Sequence, residues 1–72
     1  MDIQPIQDPA EIGALIRARR MELGMTQEEV ALVSQLTPRI MSELERGKRT
    51  AQFATVLRVL SAVGLDVYVK PR

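Results

Sequence analysis

Apolar side chains recur at helical spacing in four segments of the chain, and each segment follows a polar residue that can cap a helix. Asp8 precedes Pro9, while Thr26 and Thr37 precede the next two segments and Thr50 the last. Such residues accept hydrogen bonds from the free amides of a first turn. The pattern therefore predicts four helices, over residues 9–23, 27–34, 38–46 and 51–63.

The apolar stripe of each predicted helix gives the expected core. Gly24 and Gly64 follow the first and fourth helices, where glycine can take the left-handed conformation that ends a helix. In chain order, the positions predicted to be buried are Ile12, Leu15, Ile16, Leu23, Val30, Ala31, Val33, Met41, Leu44, Phe53, Val56, Leu57, Leu60 and Val63.

After Gly64 the period changes to two, which predicts a half-buried strand over residues 65–70. A single strand cannot satisfy its own backbone, and residues 3–6 offer only a weak strand pattern. We expect the partner to be the same strand of a second copy, paired about a two-fold axis. The alternative is a frayed tail. The residues predicted for the homodimer interface are Val63, Leu65, Val67, Tyr68 and Val69.

With 72 residues the chain predicts one small domain, which a dimer contact would help to stabilise. It has no cysteine and no histidine, so disulfides, thiolate chemistry and the usual zinc ligands are excluded and no cofactor is expected. Its carboxylates are scattered and predict no enzyme active site. The first residues carry no basic segment followed by an apolar one, and no long apolar run follows, which predicts a cytoplasmic protein without membrane contact.

The second and third predicted helices are separated by a turn too short for anything but a helix-turn-helix. In such a unit the second helix lies in the DNA major groove. The net charge of +1 is too small to indicate nucleic acid by itself. Two arginine-rich stretches, 17–20 and 46–49, are consistent either with DNA contacts or with an ordinary solvated surface.

The stretch from Leu23 to Gly64, with L-G-M-T-Q-E-E-V-A followed by L-T-P-R-I-M-S-E-L-E-R-G-K-R, resembles the Xre/Cro family of phage-repressor-like DNA-binding domains. The ending LGLDVYVK and the chain size look more narrowly like HipB-type antitoxin repressors. The resemblance implies a mostly α, lambda-repressor-like bundle of four helices, here with one C-terminal strand that pairs across a homodimer. In the Xre/Cro family the turn between the second and third helices often has glycine, where this chain has Gln35. A non-glycine residue at positive φ costs about 1 kcal/mol, so either the turn is strained or its geometry differs.

The third helix carries the predicted base contacts on the face opposite Met41 and Leu44. Arg39 can donate to guanine O6 and N7, and Glu43 can accept from cytosine N4, unless it is a surface acid that positions a neighbouring arginine. Ser42 offers a hydroxyl, and Pro38 offers an apolar surface that suits a thymine methyl. The predicted base-contacting set is Pro38, Arg39, Ser42 and Glu43.

Backbone contacts are predicted at the ends of the second and third helices, where amides and cations can bind phosphate. The resemblance adds a phosphate role for Gln27 and implies an ion pair of Arg20 with Glu45 that joins the first helix to the third. The predicted phosphate set is Gln27, Thr37, Arg46, Lys48 and Arg49.

Three functions remain open. The resemblance favours a dimeric repressor that is also the antitoxin of a HipA-like kinase toxin and represses its own operon. The alternatives are a free-standing Xre-type regulator and a protein-interaction module that no longer binds DNA. For a repressor we expect a palindromic double-stranded operator with half-sites about 34 Å apart.

Overall fold

The computed structural model describes residue 3 and residues 5–72, and its regular elements are four α-helices. The prediction of a four-helix bundle with a helix-turn-helix is confirmed. In the described part of the chain, no helix is long and apolar enough to span a membrane. The helices are α1 (Pro9–Glu22), α2 (Gln27–Val33), α3 (Pro38–Glu45) and α4 (Phe53–Ala62).

Side-chain caps fix the starts of the first three helices. Asp8 accepts a hydrogen bond from the Ala10 N–H at 2.9 Å, and Thr37 accepts one from the Ile40 N–H at 3.2 Å. Thr26 and Glu29 form a reciprocal capping box, in which each side chain accepts from the backbone N–H of the other at 3.1 and 2.9 Å. These short-range bonds explain why α2 and α3 each begin directly after a short turn.

The ends of all four helices have the same backbone geometry. In each case the residue after the C-cap has positive φ, and its N–H and the next N–H return to carbonyls of the last turn, as in a Schellman motif. Glycine takes this position three times. In the turn between α2 and α3 it is Gln35, at φ 59°, with the Leu36 N–H bonded to the Ala31 oxygen at 2.8 Å. The helix-turn-helix therefore contains a strained residue, at a cost of about 1 kcal/mol.

The core lies where α1, α2, α3 and α4 converge, and its fully buried large side chains are Ile16, Val30, Met41, Val59 and Val63. Four of the predicted core positions are wrong: Leu23, Val33, Phe53 and Leu57 are 44, 63, 69 and 38% exposed.

The errors at Val33 and Phe53 have local causes. Helix α2 packs against α3 and α4 through Val30, Ala31 and Ser34, which places Val33 on the opposite side of a short helix. The predicted fourth helix begins at residue 51, whereas α4 begins at Phe53. A side chain in that first turn lies beyond the edge of the core.

The predicted strand over residues 65–70 is wrong for this structure, in which the segment has no regular secondary structure. After Leu65, whose N–H is bonded to the Leu60 oxygen at 2.8 Å, the segment makes no backbone hydrogen bond within the described residues. A strand needs a neighbouring strand, and residue 3 and residues 5–72 supply none. The weak candidate at residues 3–6 includes Gln4, which lies outside the described residues.

Helix α1 lies against the C-terminal end of α3 at backbone distance. A Cβ atom on Gly13 would be 2.5 Å from the Leu44 carbonyl oxygen and 2.6 Å from that of Glu45. One on Gly47 would be 2.6 Å from the Ala10 Cα atom. Because backbone atoms cannot rotate aside as a side chain can, these two glycines set how closely α1 approaches α3.

We expect Gly13→Ala to lower the free energy of unfolding by about 2 kcal/mol, because the added methyl group overlaps backbone oxygens. Urea denaturation at one protein concentration measures this change. The control is Ala14→Gly, one residue along on the exposed side of α1, which should cost only about 1 kcal/mol through helix propensity. A Gly13→Ala protein as stable as the parent would contradict the close approach.

Candidate nucleic-acid interface

Helix α3 has one buried side and one solvent-facing side. Met41 and Leu44 are 0 and 6% exposed and hold the helix on the core. Of the predicted base-contacting residues, Pro38 and Arg39 are exposed, whereas Ser42 and Glu43 are half-buried. The four side chains are thus within one stretch of the accessible side of α3.

Sequence reasoning missed one residue of this surface. Ile40 is 39% exposed, in the first turn of α3 beside Arg39. A helical wheel places it on the edge opposite Ser42, where an apolar side chain can contact a thymine methyl. The available signal was its position outside the inward stripe of Met41 and Leu44.

The predicted phosphate-contacting cations fall into two groups. Lys48 Nζ lies 3.2 Å from Glu43 Oε2, and Arg49 Nη1 lies 2.9 Å from Asp8 Oδ2. Within the described residues, Arg46 makes no ion pair. The structure therefore pairs two of the three cations with carboxylates before any ligand is bound.

The Arg49 contact also bears on Asp8. The backbone hydrogen bond from Ala10 and the side-chain bond from Arg49 lower the pKa of Asp8 below its ordinary value, against a smaller opposing effect of burial. Asp8 thus stays an anionic cap at the start of α1.

Gln27 occupies the first position of α2 but its side-chain amide is directed inward. Its Nε2 donates to Glu45 Oε1 at 3.0 Å. The predicted phosphate contact of this residue thus depends on the backbone amides at the start of α2, close to Thr26 and Glu28. Thr37, at the start of α3, is exposed and already uses its hydroxyl as a cap.

The structure brings Arg20 and Glu45 together in a mostly buried ion pair. Arg20 donates from Nε to Glu45 Oε2 at 2.6 Å and from Nη2 to Oε1 at 3.0 Å. Its Nη1 donates to the Met25 carbonyl oxygen at 2.9 Å. The side chains of the pair are 12 and 3% exposed. This ion pair therefore links four segments: Glu45 on α3 accepts from α1 and from the start of α2, and Arg20 donates to the loop after α1.

Burial raises the pKa of Glu45, but hydrogen bonds from Arg20 and Gln27 act in the other direction and leave it below its ordinary value. The hydrogen bond to Glu45 raises the pKa of Arg20. Both groups are charged at neutral pH, so the pair holds the end of α3 in place as a bidentate ionic contact.

The other two arginines of α1 have different surroundings from each other. Arg19 Nε donates to the Val63 carbonyl oxygen at 3.0 Å, where a cation satisfies the open end of α4. Arg17 is exposed. Much of the positive charge in the stretch 17–20 is thus structural. The described residues contain no group of three or more side chains suited to hold a metal ion.

Comparison with known proteins places the chain in a family. The helix-turn-helix family model matches residues 16–69. The HTH-type transcriptional regulator y4mF of Sinorhizobium fredii (strain NBRC 101917 / NGR234) is 44% identical over 62 residues, which cover 86% of this chain and 82% of that protein. The chain belongs to the Xre-like helix-turn-helix family.

Solved structures share the fold. A chain of the HipA–HipB–O2–O3 complex has a TM-score of 0.87 at 20% identity, with 96% of this chain and 97% of that chain covered. The clp gene regulator ClgR from C. glutamicum has a TM-score of 0.71 at 33% identity, with 88 and 80% covered. The first likeness, at this identity, concerns the fold alone.

We expect Glu45→Gln to lower the free energy of unfolding at pH 7 by about 3 kcal/mol, because Arg20 loses its ionic partner while remaining mostly buried. Because the pKa of Glu45 is lowered in the folded state, its contribution is complete above the unfolded pKa, about 4.3, and is lost as pH falls through the folded pKa. Unfolding curves between pH 7 and 2 should therefore lose part of their acid dependence in the variant.

A double-mutant cycle with Arg20→Met isolates the pair from other effects of each substitution. The two single variants should be similarly unstable, and the double variant should cost much less than their sum. Additive costs would mean that the two side chains do not stabilise each other.

Proposed function

We propose that this protein is a DNA-binding transcriptional repressor that inserts α3 into the major groove of duplex DNA. The observation that carries the proposal is the solvent-facing side of α3. It presents the guanidinium of Arg39, which makes no ion pair within the described residues, beside apolar and hydroxyl groups. The buried pair of Arg20 with Glu45 supports it, since it fixes the helix that would enter the groove. Family membership supports it further, because the relative y4mF is an HTH-type transcriptional regulator.

The base contacts follow from the exposed groups. Arg39 donates in a fork to guanine O6 and N7, and Ser42 adapts to either kind of base edge. Pro38 and Ile40 offer apolar contact to thymine methyl groups. Glu43 accepts from the amino group of cytosine. The expected half-site thus combines at least one G·C pair with a neighbouring thymine.

The phosphate contacts come from both ends of the helix-turn-helix. The start of α2 offers the backbone N–H groups of Gln27 and Glu28, and such groups bind anions. At the start of α3, Pro38 has no N–H and the Ile40 N–H donates to Thr37, which leaves the N–H of Arg39 beside the Thr37 cap. Arg46 is free to contact the backbone, whereas Lys48 and Arg49 must first leave their carboxylate partners. Such contacts position the protein and make its affinity depend strongly on salt.

We further propose that the repressor is a homodimer, in which a second copy covers the apolar residues that the single chain exposes. Phe53 and Leu57 lie four residues apart on the outer side of α4 and are 69 and 38% exposed. Val67 and Val69 follow in the segment without secondary structure, at 50 and 95% exposure. Tyr68, 82% exposed, adds to the same segment.

Two residues of the predicted interface belong elsewhere. Val63 is fully buried in the core of its own chain, and Leu65 is half-buried against that core. They support the segment that follows rather than contact a partner. The proposed interface therefore moves toward the outer side of α4.

The regulator's wider role has two candidates. The fold likeness to HipB, over nearly the full length of both chains, supports the antitoxin of a HipA-like kinase toxin. The 33% identity with ClgR supports a free-standing regulator equally well. Co-expression with the product of the adjacent gene separates them: a kinase that copurifies with the protein and is inhibited by it favours the first, and the absence of any such gene favours the second.

We expect Arg39→Ala to relax base preference, because it removes the bidentate contact to guanine. Mobility-shift assays on the duplex that the wild-type protein selects from a randomised pool should show weaker binding, by about 1–3 kcal/mol. The affinity for a scrambled duplex should change much less. Arg58→Ala, an exposed arginine of α4, is the matched control and should bind both duplexes as the parent does.

Two outcomes of this assay would overturn the assignment. An equal loss on both duplexes would make Arg39 a phosphate contact. A wild-type protein that selects no sequence and binds no duplex would instead favour the protein-interaction module.

Sedimentation of the full chain tests the dimer. We expect Phe53→Ser combined with Leu57→Ser to shift the protein from dimer to monomer, because both side chains are exposed in the single chain and their loss opens no cavity in the core. The circular dichroism of the variant should stay helical. The matched control is Leu32→Ser, an 80% exposed residue of α2, which should remain a dimer. A wild-type monomer at all concentrations would contradict the proposal.

A further inference from the structure

Two residues with separate roles in the proposed DNA complex form an ion pair with each other in the single chain. Glu43 faces the bases in the proposed complex, and Lys48 faces the phosphates. In the structure Lys48 Nζ donates to Glu43 Oε2 at 3.2 Å. While this ion pair lasts, Glu43 cannot accept from a base and Lys48 cannot contact a phosphate.

The backbone keeps these two residues together. Gly47, at φ 82°, ends α3 and turns the chain back, so that the Lys48 N–H donates to the Glu43 carbonyl oxygen at 3.1 Å. The Glu43 side chain is only 22% exposed, while that of Lys48 is 48% exposed. Glu43 is therefore held in place, and the lysine is the partner that can move.

The surroundings make an exchange of partners feasible. Glu43, Arg46 and Lys48 line an open depression of about 240 Å³. None of these three lining residues belongs to the buried core, so a base edge at this depression would leave the core in place. The ammonium group would then have Glu43 on one side and the nearest phosphate on the other.

The chemistry of the base decides which partner Lys48 keeps. If the base offers an amino group, Glu43 can accept from it and still be satisfied after Lys48 has moved to a phosphate. If the base offers only acceptors, such as guanine O6 and N7, the carboxylate would face them with no donor unless Lys48 stays. A buried or half-buried acceptor without a donor is costly, so Lys48 remains with Glu43 on such a sequence.

We propose that Glu43 controls the phosphate contact of Lys48, so that a base amino group at Glu43 releases the lysine to the DNA backbone. One base pair then affects binding in two ways, through its contact with Glu43 and through the phosphate contact that Lys48 gains. Glu43 acts here as a positioning residue for Lys48. The inference rests on the proposed function, since it requires duplex DNA in contact with α3.

The experiment compares salt dependence on two duplexes. The first is the duplex selected by the wild-type protein. The second differs from it by one base pair, chosen because the change weakens binding by the wild type but not by Glu43→Gln. Affinities are measured from about 50 to 200 mM KCl for the wild type, Glu43→Gln and Lys48→Met, and the slope of log affinity against log salt is compared. Glu22→Gln removes the same charge from an exposed position on α1 and is the matched control.

The wild type should show a slope steeper on the selected duplex by about 0.9 for each Lys48 in the complex, since each new phosphate contact releases counterions. Glu43→Gln should show the steeper slope on both duplexes, because the lysine is no longer held. Lys48→Met should show the shallower slope on both. Glu22→Gln should keep the wild-type difference.

Three results would overturn the inference while leaving the proposed function intact. The first is that no single base-pair change weakens binding by the wild type but not by Glu43→Gln, and the second is that the wild type has equal slopes on the two duplexes. The third is that Lys48→Met lowers the slope, relative to the wild type, by the same amount on both duplexes. A wild-type protein without salt-dependent binding to any duplex would instead overturn the proposed function, and this inference with it.

Discussion

The buried carboxylate of Glu45 is the contact on which the arrangement of the helices depends. It accepts from Arg20 on α1 and from Gln27 on α2, while Arg20 also donates to the carbonyl of Met25 in the loop between them. Four segments of a 72-residue chain therefore meet at one charged group. A domain this small buries little apolar surface, and a bidentate ionic contact gives the end of α3 a direction that apolar packing alone leaves loose.

The close approach of α1 to α3 completes this constraint. Gly13 allows the backbones to touch beside Leu44, and the ionic pair lies farther along the same contact. The solvent-facing side of α3 is consequently displayed on a rigid support, as a base-contacting helix requires. The residues Lys48 and Arg49 are held differently, by more exposed ion pairs with Glu43 and Asp8 that phosphate contacts replace in the proposed complex. The buried ion pair thus fixes the position of α3, whereas the more exposed pairs can exchange partners.

Much of the fold was predictable because its signals are local. Thr26 with Glu29 and Thr37 with Pro38 mark the starts of α2 and α3 through hydrogen bonds that span only three residues. The solvent-facing side of α3, where the base contacts are proposed, could be located in the same way, from the inward spacing of Met41 and Leu44. The partners of Lys48 and Gln27 could not, because a side chain's choice among several possible partners depends on distances that spacing does not contain. Ile40 was missed because the search for base contacts favoured polar side chains, although its position outside the inward stripe placed it at the surface.

From the sequence alone one could place the starts of α1, α2 and α3 and the helix-turn-helix that α2 and α3 form, because caps, periodicity and turns act within a few residues. The start of α4 was misplaced at residue 51 instead of Phe53, where Gln52 makes no side-chain cap hydrogen bond. The tertiary structure was needed to show that Val33 and Phe53 face solvent, because burial depends on which side of each helix its neighbours cover. It also decided that residues 65–70 form no strand in the single chain, since the alternating pattern states which residues could pair and nothing about whether a partner is present.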